Sequence, residues 1–121
     1  MRTVVMNDCP AAADAAPAGR QARLLRHLLG RMLELEEDGL RVEGPADPFA
    51  LRAPLVAVDF TGRDNYEIAR RLSEEYHIQV SCTDNAPAPG CMLHLCPAPG
   101  VTFEDIDYVQ GAVYRLLLEP R

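Results

Sequence analysis

Apolar positions recur along the chain with two different periods, and the switches between them outline a fold. Over residues 20–38, "RQARLLRHLLGRMLELEED", Ala22, Leu25, Leu28, Leu29, Met32 and Leu35 return at steps of three and four. That spacing predicts a helix with one buried stripe. Arg20, Arg23, Arg31, Glu34 and Glu37 take the remaining face, and Gly39 is placed to cap the C-terminus. "LRVEG" then predicts a short strand, and "PADP" (45–48) a turn. "APLVAVDF" (53–60) is a nearly unbroken β-prone run, which predicts a central strand.

The second half uses the same two periods, without an internal repeat. "DNYEIARRLSEEY" opens with Asp64 and has Glu67 three residues on, the spacing of a capping box, with Ile68, Ala69, Leu72 and Tyr76 as its apolar stripe. "HIQVSC" alternates: Ile78, Val80 and Cys82 share one face, and Gln79 and Ser81 the other. "TDNAPAPG" (83–90) has the composition of a loop. "CMLHLC" predicts the next strand, closed by "PAPG". The last helix lies within "VTFEDIDYVQGAVYRLLLEP", with Thr102 as N-cap, acidic residues at its positive end, and Ile106, Val109, Val113, Leu116 and Leu117 as its core stripe.

The element order is α-β-β-α-β-β-α. It predicts an α+β domain, a mainly antiparallel sheet of about four strands with helices packed on one face. Residues 20–121 form this single domain, and residues 1–19 read as a flexible Ala/Pro-rich arm with a possible short strand at "TVVM" (3–6).

Composition changes the picture in three places. The chain has 121 residues and a net charge of −6, and no basic run stands out, which argues against nucleic acid and against an anionic membrane surface. No apolar run is long enough to span a bilayer, and "MRTVVMNDCPAAADAAPAG" lacks the apolar core of a secretion signal. The expectation is therefore a cytoplasmic protein whose 4 cysteines are reduced thiols. Finally, all 12 basic residues are arginine, so without lysine this chain cannot form a Schiff base through a lysine side chain.

The densest candidate chemistry is "GCMLHLCP" (90–97). On a strand, Met92, His94 and Cys96 share one face while Cys91, Leu93 and Leu95 share the other. Cys82, His94 and Cys96 are the metal candidates, weak ones, because a closed zinc site needs four ligands and no C-x-x-C is present. A buried strand carrying small apolar thiols is the competing reading, and the stronger one. His94, Asp84 and Asn85 are the candidate ligand-binding residues, although turn formation also accounts for Asp84 and Asn85. His77, at a helix-to-strand junction, reads as a cap. Arg52, Arg63, Arg70 and Arg71 form a possible anion patch, set against surface pairing of these arginines with Glu67, Glu74 and Glu75.

Taken together, residues 20–118 resemble the small C-terminal domain of fold-type I pyridoxal-phosphate enzymes. The resemblance rests on the long Arg/Leu-rich helix, "GLRVEGP", a strand led in by "DP", "YEIARRLSEEYHIQV", and a strand ending in Pro before "TFEDIDYV". The most similar branches are the Orn/Lys/Arg decarboxylase group, through "DNYEIARRLSEEYHIQVSCTDN", and the class V aminotransferase group that includes cysteine desulfurase-like proteins. In such enzymes a large domain supplies the cofactor lysine, the aspartate facing the pyridine nitrogen and the phosphate cradle. The class V pattern implies an arginine for the substrate carboxylate where this chain has His94.

The resemblance therefore implies a small domain that is not catalytic alone and holds no cofactor alone. Pyridoxal phosphate would enter only if a partner chain brought the lysine. Such a domain would act as a binding or assembly module, as a homo-oligomer or as one half of a split decarboxylase or transaminase-like enzyme. Two other readings stand beside it: a ferredoxin-like sensor of small molecules such as amino acids, and a Cys/His metal or thiol site.

Overall fold

The computed structural model describes residues 3–7, 19–50, 55–84 and 91–119. Its elements are β1 (Val4–Val5), α1 (Gly19–Leu33), β2 (Leu40–Glu43), β3 (Val56–Phe60), α2 (Asn65–Tyr76), β4 (Ile78–Gln79), β5 (Ser81–Asp84), β6 (Cys91–Leu95) and α3 (Phe103–Leu118). The fold is α+β. Its main sheet is four-stranded and antiparallel throughout, in the order β2-β3-β6-β5, and β1 and β4 form a small parallel pair.

All three helices pack on one face of the main sheet. Val56, Val58 and Phe60 of β3, Leu93 and Leu95 of β6, and Leu40 of β2 join one buried cluster with Leu24, Leu25, Leu28, Leu29 and Met32 of α1, Ile68 and Leu72 of α2, and Ile106, Val109, Val113 and Leu116 of α3. The period-two strands and the period-3.6 helices thus turn their apolar sides toward each other. Ala57, Met92 and Cys96, on the opposite sheet face, are buried but stand outside that cluster.

Local chemistry sets the element ends. Asp64 caps α2 by accepting the Tyr66 N–H at 3.0 Å. Its expected capping box does not close, because Glu67 is paired with Arg70 instead. The reciprocal box occurs at α3, where Thr102 accepts the Asp105 N–H at 3.1 Å and Asp105 accepts the Thr102 N–H at 2.9 Å. His77 ends α2 in the left-handed region, with φ 58°, and its N–H donates to Leu72 O.

Three boundaries differ from the sequence reading. Helix α1 ends at Leu33, six residues short of Gly39, and a 3₁₀ turn over Glu36–Asp38 follows. Gly39, at φ 107°, closes that turn. The detour buries Leu35 and brings Leu40 into the sheet. "HIQVSC" is broken at Val80, which lets β4 pair with β1 and β5 with β6. β5 runs on to Asp84, two residues into the stretch 83–90 expected as a loop. The possible strand at "TVVM" is present as β1. Val4 N–H donates to His77 O at 2.9 Å and Met6 N–H to Gln79 O at 2.8 Å, while Cys96 N–H donates to Met6 O at 2.8 Å and Ala98 N–H to Val5 O at 3.0 Å. The segment is held from both sides, and Val4 and Met6 belong to the core cluster.

Candidate functional site

The helix-free sheet face carries His94. The register sets it between Ala57 of β3 and Ser81 of β5, and its side chain is half-buried. One row along, Asp59 stands opposite Arg41. Arg41 lies 3.0 Å from Glu43 and 3.9 Å from Asp59, and its Nη2 is 4.0 Å from Met92 Sδ. Asp59 also accepts a 2.6 Å hydrogen bond from Asn65. The accessible part of this face is therefore polar and mostly ion-paired around one histidine, with Ala57, Met92 and Cys96 buried beside it.

Asp84 does not gather there. Asp84 pairs with Cys91 in the register, three residues along β6 from His94, about 10 Å away at the strand rise. Its side chain, and Asn85 altogether, lie outside the described residues.

Cys82 and Cys96 are both disulfide-bonded, and no described cysteine is free. This corrects the expectation of reduced thiols. The two are not bonded to each other: Cys82 sits opposite Leu93, three residues and one strand face away from Cys96, beyond disulfide reach. The remaining cysteines of the sequence are Cys9 and Cys91. A disulfide sulfur is not the thiolate that zinc takes, so in this state Cys82 and Cys96 offer no thiolate to a metal. Among the described residues, no three His, Cys, Asp or Glu side chains converge to hold a metal ion. No helix among the described residues is long and apolar enough to cross a membrane.

No family model and no curated protein sequence matches the chain.

The arginines that the sequence offered as an anion patch are already occupied. Arg70 is paired with Glu67 and Glu74, and Arg71 with Glu75 and Glu119. Hydrogen bonds from Arg70 hold the Glu67 carboxyl below its usual range, and those from Arg71 do the same for Glu75 and Glu119. Arg63 donates to the carbonyls of Leu117 and Glu119, closing the end of α3. Arg52 lies outside the described residues.

A different basic cluster is present, one that the sequence reading missed. Arg23, Arg26, His27 and Arg31 line a groove of about 630 Å³ over α1, walled by Phe49 from the 3₁₀ turn after β2 and by Phe103 from the start of α3. The Arg26 guanidinium lies 5.2 Å from the Phe49 ring centroid. His27 meets Phe103 edge-on at 5.3 Å and lies 2.8 Å from Asp107. The available signal was helical spacing: positions 23, 26, 27, 30 and 31 lie on one side of α1, opposite the leucine stripe.

Proposed function

We propose that the chain is a non-catalytic assembly module, of the small-domain kind found in fold-type I pyridoxal-phosphate enzymes, and that its helix-free sheet face meets a partner. The supporting observation is the one-sided packing of the sheet: every helix lies on the face opposite His94, Asp59 and Arg41. A charged and half-buried sheet face fits a surface that is covered after folding, in the manner of the polar contacts between domains. The resemblance along residues 20–118 supports the same reading through its element order, while His94, standing where the class V pattern has a substrate-binding arginine, departs from that pattern and assigns no substrate to this face.

Pyridoxal phosphate does not fit this chain alone, because the sequence has no lysine to hold it. The partner class is a chain that carries that lysine on a large domain, and no chemical step is assigned to the present chain.

Mixing the chain with pyridoxal phosphate is expected to give no internal-aldimine absorbance. The band is expected only when a lysine-bearing large-domain chain, encoded beside this one, is added. Arg41→Glu combined with His94→Ala is expected to weaken that assembly about tenfold, as loss of a buried polar contact does. A band from this chain alone would refute the reading. So would an assembly indifferent to the double variant, or a self-associated species by light scattering that leaves no room for the partner.

A further inference from the structure

We propose that the groove over α1 is a binding site for a small organic anion, a carboxylate or phosphate carried on a planar apolar ring. The site is separate from the helix-free sheet face and does not depend on what that face meets.

The charge balance of the chain makes the groove stand out. The net charge is −6, and the described arginines are mostly spoken for. Arg31, Arg41, Arg70 and Arg71 have carboxylate partners, and Arg20 and Arg63 donate to backbone carbonyls. Among the described residues, Arg23, Arg26 and Arg115 alone have neither. Two of these three lie in the same groove.

Arg23 and Arg26 are three apart on one helix, a spacing that sets their Cβ atoms about 5 to 6 Å from each other, close enough for two guanidiniums to fork one anionic group. Arg31, farther along the same wall, is held by Glu34 and Asp107, and Glu34 also lines the groove, so the anion is left to Arg23 and Arg26. The Arg31 Nε lies 3.1 Å from Asp107 Oδ1, yet it is buried and the alignment is too poor for a hydrogen bond.

The apolar half of the site comes from elsewhere in the chain. Phe49 is 70% exposed and Phe103 41% exposed, a large apolar area to leave in water beside charged groups. Their rings offer faces on which a planar group can stack, and Arg26 already lies over one of them. A groove of about 630 Å³ falls within the range of small-molecule sites. Inorganic phosphate would satisfy the arginines and leave the rings bare, whereas a neutral ring would do the reverse. An aromatic carboxylate or phosphate satisfies both.

The test is a titration of the isotopically labelled chain followed by amide NMR, with four probes: 2-naphthoate, 2-naphthyl phosphate, 2-naphthalenemethanol and inorganic phosphate. At least one of the two aromatic anions is expected to saturate with a Kd near or below about 1 mM, shifting the amides of residues 23–31. The neutral alcohol and inorganic phosphate are each expected to bind at least about tenfold more weakly, the loss of roughly one charge-assisted hydrogen bond or one stacked ring. Whichever aromatic anion binds tighter identifies the natural anionic group as carboxylate or phosphate. Arg23→Gln with Arg26→Gln, and separately Phe49→Ala, are expected to weaken binding by about tenfold or more without lowering the unfolding temperature, as exposed substitutions seldom do. Arg115→Gln, outside the groove, is expected to change nothing. The proposal is overturned if no probe saturates, if the neutral alcohol binds as tightly as the anions, or if the double arginine variant binds like the parent.

Discussion

Reducing the disulfides at Cys82 and Cys96 is expected to lower the unfolding free energy by about 2 to 4 kcal/mol for each bond broken, while leaving the protein folded. The loss follows from the unfolded state, which gains freedom when a crosslink is cut. Persistence of the fold follows from the core. A chain of 121 residues buries enough apolar surface to fold without staples, and here one cluster joins all three helices to the sheet. Each bond is therefore expected to account for roughly 6 °C or more of the thermal midpoint, at about 3 to 6 °C per kcal/mol for a domain of this size. Circular dichroism melts with and without a phosphine reductant measure the shift. Mass spectrometry of the unreduced protein under denaturing conditions counts the bonds. An unchanged midpoint after complete reduction, or a mass showing four free thiols, would sink the expectation.

Replacing Asn65 by leucine, a side chain of similar size, is expected to cost about 2 to 3 kcal/mol, the range for orphaning a buried donor beside a charged partner. Asn65 is the buried polar residue that ties the end of β3 to the start of α2. It is 6% exposed, its Oδ1 accepts the Phe60 N–H at 3.0 Å, and its Nδ2 donates to Asp59 at 2.6 Å. Leucine fills the space and makes neither bond. Asn65→Asp separates the two contributions. It keeps an acceptor for Phe60 N–H but sets a second carboxylate against Asp59. Such a pair retains a proton that the unfolded chain releases, so its folded-state titration moves upward. The sign follows: this variant is expected to be destabilised at neutral pH and to recover relative to the parent as the pH falls toward the carboxylate range. Urea unfolding of the parent and both variants across pH decides the matter. A leucine variant within 0.5 kcal/mol of the parent would show, on the usual scale for inconsequential substitutions (about ±0.5 kcal/mol), that the Asn65 bonds contribute little.

The sequence announced the helices and strands because each has a side that must be buried. The stripe of Leu25, Leu28, Leu29 and Met32 marked α1, and all four are buried. Alternation in "CMLHLC" separated Leu93 and Leu95 from His94, and the sheet keeps them on opposite faces. The end of α1 was not legible. Gly39 carries the same left-handed signature whether it caps an α-helix or a 3₁₀ turn, and only the burial of Leu35 and Leu40 selects the latter. The redox state of Cys82 and Cys96 was hidden for a related reason, since composition speaks to the compartment whereas pairing depends on which backbones the fold brings together. The groove was the least legible feature. Its arginines are on one helix face, but Phe49 and Phe103 arrive from segments far along the chain, and nothing local in the sequence links them.

The parallel pairing of β1 with β4 has a consequence for the order of assembly. Val4 meets Ile78 and Asn7 meets Cys96, closing loops of roughly seventy and ninety residues, among the least local contacts a chain of this length can make. Helices and hairpins can form from neighbours as they emerge, but β1 has to wait for acceptors at both ends of the second half. Of the described elements, the one earliest in the chain is thus the one seated last. Until the stretch through Ala98 exists, Val4 and Met6 are apolar side chains with no core to enter, and a partly synthesised chain carries them exposed.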